Sequence, residues 1–268
     1  MRRALHIFSV ALITAGIVIL VDVAMTLLWQ EPLSTVYGSV QQGRAGDSLD
    51  ELERSFFARD DVEPLQPGSS DQLSAAQRKQ LGELARIFSD EADTGEGIGR
   101  LEIPSIEVES VIVEGTDTAT LQKGPGRYPE TAFPGQGRTI GIAGHRTTYG
   151  APFNEINEIA DGDEIIVEMP YATFTYVVQK HEIVEPSQVE IVRDVGYERL
   201  VLTACHPLYS AAQRWAVFAK LAQTSLTTAE AAGSVTGSAL TPRDRSTRVR
   251  ATLAPGSDAQ RTLPQSRG

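Results

Sequence analysis

Short β-type runs separated by turn residues fill the middle of this chain, and they constrain its fold more than any other feature. Seven such runs cover residues 101–103, 108–113, 139–143, 164–168, 174–184, 200–204 and 215–221. Many short strands at close spacing are typical of a β-sandwich or a β-barrel. The sequence therefore predicts an all-β domain over residues 98–224. Only short helical turns are expected within it, near residues 118–122 and 152–157.

The N-terminus carries a long apolar run over residues 4–29. About 26 residues at about 1.5 Å each exceed the roughly 30 Å hydrocarbon core of a bilayer. Arg2 and Arg3 precede the run, so the positive-inside rule leaves residues 1–3 in the cytoplasm and everything after Trp29 outside. A cleaved signal peptide is the alternative, but no small-x-small cleavage site follows the run cleanly. We therefore predict a single-pass signal anchor in the cell membrane, with an extracytoplasmic catalytic domain.

Two polar stretches flank the β-rich segment. Residues 30–97 contain helical spacing at 49–57 and 74–88, and the second pattern carries an apolar stripe of Leu81, Leu84, Ile87 and Phe88. We interpret this stretch as an extracytoplasmic linker, in which a transient or surface-docked helix acts as a spacer; a lid over the catalytic site is the alternative. Residues 225–268 contain few large apolar side chains, so we predict a disordered tail.

Charge and cysteine content exclude several classes of function. The net charge is −11 at pH 7, and nucleic-acid binding is disfavoured because phosphate neutralisation needs concentrated Lys and Arg. The chain has one cysteine, Cys205, so it forms no internal disulfide. No histidine or cysteine spacing suggests zinc, and no glycine-rich loop suggests a phosphate site. We predict neither a metal nor a cofactor.

Cys205 ends one of the β-type runs, His145 follows a second, and Arg214 begins a third. A lone cysteine is often a buried and inert residue. Here, however, a thiol, a separate histidine and a nearby cation together supply what covalent acyl transfer requires: a nucleophile, a proton carrier and a charge for the oxyanion.

Five motifs in order carry a family resemblance. They are LQKGPGRYP at 121–129, PGQG at 134–137, GHRTTYGAPF at 144–153, the cysteine block at 200–207 and the arginine block at 210–215. This set resembles the sortases, the membrane-anchored cysteine transpeptidases of Gram-positive bacteria, and most of all the actinobacterial class E group. The resemblance covers residues 99–221. It implies an eight-stranded β-barrel with short helices.

The resemblance also implies roles for individual residues. Cys205 is the nucleophile, His145 carries the proton and Arg214 stabilises the oxyanion. The family motif Thr-Leu-x-Thr-Cys falls on residues 201–205, where Val201 and Ala204 replace two threonines. The residues expected to contact a substrate peptide are Tyr128, Thr147, Tyr149, Thr203 and Ala204.

Two neighbouring residues are rivals for these roles. His206 adjoins the cysteine, but successive residues of a strand point to opposite faces, so it is poorly placed as a base. Arg146 is the rival cation. If the chain stays extended beyond His145, Arg146 points away from the cleft.

The resemblance implies a transpeptidase that cleaves a C-terminal sorting motif of the LAxTG or LPxTG kind. Its partners are surface proteins that bear this signal and an amine on a cell-wall precursor or a pilin subunit. An L,D-transpeptidase is an alternative, but its arginine stands two residues after the cysteine, where this chain has Pro207. A non-catalytic anchored binding domain is the third possibility, and it has no need for Cys205, His145 and Arg214 together.

Overall fold

The computed structural model describes residues 2–29, 32–63, 65 and 73–226. The predicted disordered tail lies outside the described residues from residue 227 onward. Residues 225 and 226, which we assigned to that tail, belong to the last strand of the β-rich domain instead. They pair there with Thr173 and Ala172 of a neighbouring strand, which extends the ladder beyond the predicted boundary.

Eight strands close into a barrel between residues 97 and 226, which confirms the predicted architecture. The strands are β1 Gly97–Ile103, β2 Val108–Glu114, β3 Gly126–Arg127, β4 Thr139–Gly144, β5 Glu164–Met169, β6 Ala172–Val184, β7 Arg199–His206 and β8 Gln213–Leu226. Their order around the barrel is β1-β2-β3-β4-β7-β8-β6-β5. The β2–β3 and β4–β7 pairs are parallel and the other pairs are antiparallel.

The barrel core follows from the alternation of side chains along the strands. In β6, buried and half-exposed residues alternate from Ala172 to Val178, and Phe174 and Tyr176 are fully buried. The phenol of Tyr176 donates a hydrogen bond of 2.8 Å to Glu198. Glu198 also accepts bonds from the backbone N–H groups of Gly135 and Gly137, so three donors satisfy this buried carboxylate.

Short helical segments connect the strands. The first is a single helical turn at Thr118–Leu121, where Asp117 caps the backbone N–H groups of Ala119 and Thr120. Short 3-10 helices occupy Pro104–Ile106, Ile156–Glu158 and Val189–Val192. The predicted helical turns near residues 118–122 and 152–157 therefore form within these connections.

Within the described residues, three longer helices precede the barrel: α1 Arg2–Trp29, α2 Pro32–Phe57 and α3 Ala75–Glu91. Among the described residues, no helix has the length and apolar character that crossing a membrane requires. The membrane anchor over residues 4–29 stays a prediction.

Helices α2 and α3 pack on the barrel, which differs from the spacer interpretation. The stripe of Leu81, Leu84, Ile87 and Phe88 is buried, and it joins the main core cluster. Phe56 of α2 is fully buried in the same cluster. A capping box formed by Ser74 and Gln77 begins α3. The stripe marks the face of α3 that completes the core, because apolar partners from the barrel cover it.

Candidate active site

Three adjacent strands bring the predicted catalytic residues to one end of the barrel. In the parallel β4–β7 pair Gly144 lies opposite Ala204, so His145, the next residue after β4, is level with Cys205. In the antiparallel β7–β8 pair Cys205 lies directly opposite Arg214. Directly opposite residues have Cβ atoms about 4.5–5.5 Å apart on the same face of a sheet. The register therefore places Cys205 between His145 and Arg214.

The imidazole of His145 is half-buried and contacts the ring of Tyr149 at an interplanar angle of 45°, with ring centroids 5.1 Å apart. Its Nε2 atom is buried and has no hydrogen-bond partner within the described part of the chain. Burial lowers the pKa of His145, because the charged imidazolium loses hydration. At neutral pH this favours the neutral imidazole, which can accept a proton.

The glycine before His145 has a packing role. A Cβ atom on Gly144 would lie 2.4 Å from the ring of Phe153, which is fully buried. The backbone N–H of Phe153 also donates to the carbonyl of His145 at 3.0 Å. The phenylalanine therefore fixes the end of β4, and only glycine leaves room for its ring.

Arg146 holds the backbone of Cys205 in place. It is 8% exposed. Its Nη1 atom donates to the carbonyl of Cys205 at 3.4 Å and to Nδ1 of His206 at 3.2 Å, while Nε donates to the carbonyl of Asn154 at 3.2 Å. Its Nη2 atom donates to Asn157. Arg146 thus ties the loop that follows His145 to the end of β7.

The Arg146 guanidinium lies close enough to Cys205 for the two groups to interact electrostatically. Burial lowers the pKa of the Arg146 guanidinium, and the charge of Cys205 acts in the opposite direction. The expectation that Arg146 points away from the cleft assumed an extended chain after His145, whereas β4 ends at Gly144. Sequence reasoning missed Arg146 as a buried cation that donates to the backbone carbonyl of Cys205.

His206 lies on the opposite face from the cysteine, as the strand alternation predicts. Its ring packs on Trp215, with centroids 5.5 Å apart. Arginine has no acceptor, so Nδ1 of His206 must accept the bond from Arg146. This bond and the contact with Trp215 hold the ring away from the cysteine's face of β7, so His206 is poorly placed as the proton carrier.

Arg214 is half-exposed at the start of β8. Its Nη1 atom donates to the carbonyls of Ala211 and Gln213, each at 2.9 Å. These bonds hold the guanidinium against the turn between β7 and β8. In the part of the chain that the structure describes, Nε and Nη2 make no such bond, so both remain available to an oxyanion.

The predicted substrate contacts fall into different environments. Tyr128 and Thr203 share a hydrogen bond of 2.8 Å, and Thr203 lies two residues before Cys205 on the same face of β7. Thr147 and Tyr149 are half-buried on the loop after His145. Ala204 is buried and its methyl group joins the barrel core, so its backbone N–H is the group left for a contact with substrate; this contact stays a prediction.

The backbone of Tyr128 is held by a buried ion pair. Arg127 forms two hydrogen bonds with Glu114, at 2.5 and 2.7 Å, and both side chains are buried. The same guanidinium lies 4.0 Å above the ring of Phe133 and donates to the carbonyl of Tyr128. This network fixes the short strand β3 beside the site. No group of three or more metal-binding side chains occurs among the described residues.

Comparison with known proteins identifies related sequences and structures. A family model described as the sortase domain matches residues 101–222. Sortase D from Bacillus subtilis (strain 168) is 36% identical over 132 residues, which cover 48% of this chain and 65% of the relative. Sortase SrtE1 from Streptomyces coelicolor is 32% identical over 147 residues, or 49% of this chain and 42% of the relative. The chain thus spans less than two thirds of either protein.

A solved structure shares the fold over a longer stretch. The sortase D5 transpeptidase from Clostridium perfringens superposes with a TM-score of 0.50 at 24% identity, covering 67% of this chain and 99% of that one. Sortase E from Streptomyces avermitilis is 33% identical over 50% of this chain and 93% of its own, with a TM-score of 0.46.

Proposed function

This chain belongs to the sortase family of cysteine transpeptidases, and on that premise we propose that it transfers acyl groups through a thioester on Cys205. The observation that carries the proposal is the strand register, which sets His145 and Arg214 on either side of the cysteine. A thiol between a proton carrier and a cation has the groups that acyl transfer needs.

The first half of the proposed reaction forms the acyl-enzyme. His145 takes the thiol proton, and the sulfur of Cys205 attacks the scissile carbonyl carbon. The free N–H groups of Arg214 stabilise the oxyanion of the tetrahedral intermediate. His145 then protonates the leaving amine nitrogen as the C–N bond breaks, and the peptide remains attached to Cys205 as a thioester.

The second half transfers the acyl group to an amine. The incoming amine attacks the thioester carbon and loses a proton to His145. The C–S bond breaks, and the sulfur recovers its proton from the imidazolium. The lowered pKa of His145 supports both halves, because a neutral imidazole is present at neutral pH to accept the first proton.

We propose that the acyl donor is a surface protein with a C-terminal LAxTG or LPxTG sorting motif, cleaved after threonine. The acceptor is an amine on a cell-wall precursor or a pilin subunit. The similarity to class E sequences supports the LAxTG form. The proposed peptide contacts are Tyr128 and Thr203, which share a hydrogen bond, together with Thr147 and Tyr149 on the loop after His145.

We also propose that residues 4–29 anchor the protein in the cell membrane and place the barrel outside. The support comes from the apolar sequence and its two preceding arginines. Along α1, large apolar side chains are exposed, among them Leu5, Phe8 and Leu20. A helix with apolar residues exposed around its surface is favoured in lipid rather than in water.

The proposed function is tested with peptides. The full chain in detergent is incubated with LAxTG or LPxTG peptides and a diamino acceptor, and products are identified by mass spectrometry. We expect cleavage after threonine and a new amide to the acceptor, with none from Cys205→Ala. Binding of the peptide without cleavage would support the non-catalytic alternative, and turnover of wall-derived stem peptides alone would support the L,D-transpeptidase.

A further inference from the structure

The turn that follows His145 has a strained backbone. Tyr149, Gly150 and Ala151 have φ values of 54°, 79° and 43°, all in the left-handed region. Such conformations are unfavourable for a non-glycine residue and persist only when the surroundings hold them. Some part of the molecule must therefore support this turn.

Helix α2 supplies that support through Gly38. A Cβ atom at this position would lie 2.6 Å from the carbonyl carbon of Tyr149 and 3.0 Å from the nitrogen of Gly150. Glycine inside a helix costs about 1 kcal/mol relative to alanine. Its presence here is explained by the close approach of the helix to the strained turn.

Aromatic rings extend the contact to the candidate catalytic histidine. The rings of Tyr37 and Tyr149 meet edge to face, with centroids 6.0 Å apart, and the tilted rings of Tyr149 and His145 have centroids 5.1 Å apart. Gln41 donates a hydrogen bond of 2.6 Å to the phenol of Tyr37. A continuous set of contacts therefore runs from α2 to the imidazole.

Helix α2 is itself fixed to the barrel next to these contacts. The side-chain amide of Gln42 accepts from the backbone N–H of Val111 at 2.7 Å and donates to the carbonyls of Val111 and Lys123. Farther along α2, Ala45 and Leu49 pack against Val111 and Val113. The helix is therefore anchored well enough to hold a turn in place.

Building on the proposed function, we propose that α2 is a positioning element of the active site. Gly38 and Tyr37 hold Tyr149 in its strained turn, and Tyr149 in turn holds the imidazole of His145 level with Cys205. A barrel without this contact retains all three catalytic side chains but leaves the histidine free to move.

The titratable and charged groups near His145 lie on four elements. Cys205 and Arg214 are on β7 and β8, Arg146 and Tyr149 are on the histidine's own loop, and Tyr37 is on α2. Burial, rather than any of these charges, accounts for the lowered pKa of His145. Loosening the turn admits water to the imidazole, so the pKa is expected to rise toward its usual value.

The test compares two glycines of the same helix. Gly38→Ala adds a methyl group against the turn, whereas Gly43→Ala is a matched control whose new Cβ would meet no described atom within 4 Å beyond its chain neighbours and the backbone of its own helix. The full chain in detergent is titrated by NMR, following the ring signals of His145. We expect the His145 midpoint to rise in Gly38→Ala and to stay unchanged in Gly43→Ala.

Kinetics on the same proteins give a second readout. The acid limb of the pH–rate profile reports protonation of His145, since the imidazole must be neutral to accept the first proton. We expect this limb to move to higher pH in Gly38→Ala. Misplacement of a catalytic group by about 1 Å can cost about 100-fold. We therefore expect kcat to fall at least about tenfold, with a smaller change in KM.

Tyr37→Ala provides an independent variant if Gly38→Ala fails to fold, because it removes a half-exposed ring and adds no atoms. An unchanged His145 midpoint in a folded Gly38→Ala, or in Tyr37→Ala when Gly38→Ala does not fold, would overturn the proposal. The NMR midpoint does not depend on turnover. A wild-type protein with no activity would therefore refute the proposed function while leaving this test intact.

Discussion

Replacement of Phe88 by alanine tests whether α3 is part of the folded domain. Phe88 is 0% exposed, and its ring centroid lies 5.3 Å from that of Phe56, 6.0 Å from Phe133 and 5.6 Å from Tyr171. The side chain thus joins α2, α3 and the barrel. Truncation of a buried phenylalanine to alanine costs about 3–5 kcal/mol, because apolar transfer energy is lost and a cavity remains.

This loss is large compared with the stability of a typical domain, about 5–15 kcal/mol. For a protein of about 150–250 residues, each kcal/mol lowers Tm by about 2–4 °C. We therefore expect Phe88→Ala to lower Tm by about 6–20 °C, measured by circular dichroism of the full chain at fixed pH. A chain shortened to begin at residue 96 should be less stable still, because it loses both docked helices.

Arg86→Ala is the matched control on the same helix. Arg86 is exposed and pairs with Glu83 at 2.7 Å and with Asp90 at 2.8 Å. Exposed ion pairs contribute about 0–1 kcal/mol, so Tm should fall by no more than a few degrees. Equal Tm values for Phe88→Ala and Arg86→Ala would refute the docking of α3 and restore the spacer interpretation.

Three further predictions concern the buried ion pair, the oxyanion site and pH. Glu114→Gln leaves Arg127 buried without its counter-charge, so urea unfolding should show a loss of about 3–5 kcal/mol; a loss below about 1 kcal/mol would contradict this. Arg214→Lys should abolish most turnover in the peptide assay, because a point charge does not reproduce the guanidinium fork, and full activity would remove Arg214 from the mechanism. The pKa of His145 is lower in the folded protein than in the unfolded chain, so its contribution to stability is fully present above about pH 6.5 and is lost as pH falls below that value through the lower pKa of the folded state. The Tm difference between wild type and His145→Gln should therefore change between pH 8 and pH 5, and a constant difference would contradict the assignment.

The strands were largely predictable because each is a run of β-type residues several positions long. All seven predicted runs lie in strands of the barrel. The exception is β3, since its two residues, Gly126 and Arg127, are too few to form a pattern. The parallel pairing of β4 with β7 was equally beyond the sequence pattern, because hydrophobic alternation indicates which face is buried and not which strand lies alongside.

For the helices before the barrel, the sequence predicted the position of the helix and its apolar face but not the residues that cover that face. Helical spacing predicted where α3 forms, and its stripe predicted which face is apolar. The covering partners, Phe133 and Tyr171, lie more than 40 residues farther along the chain. A periodic stripe carries no information about such distant contacts, which explains why the segment was interpreted as a spacer.

At the candidate site, too, local motifs were readable from the sequence, whereas contacts between distant segments were not. Its three candidate catalytic residues were proposed from their motifs, and the strand register brings them to one end of the barrel. The role of Arg146 was missed because the reasoning assumed an extended chain after His145, whereas β4 ends at Gly144 and a turn follows. Once the strand ends, alternation no longer determines where a side chain points. The contact with Gly38 joins segments more than 100 residues apart.

The most direct test of the central claim is the intact mass of the protein after reaction with a sorting-motif peptide in the absence of an amine acceptor. Cys205 is the only cysteine, so a thioester adduct has one possible position. We expect a mass increase equal to the peptide up to its threonine, located on Cys205 by fragmentation and lost on addition of a diamino acceptor. Cys205→Ala should show no adduct. Peptide cleavage by Cys205→Ala at the wild-type rate, or a stable adduct on another residue, would contradict the account.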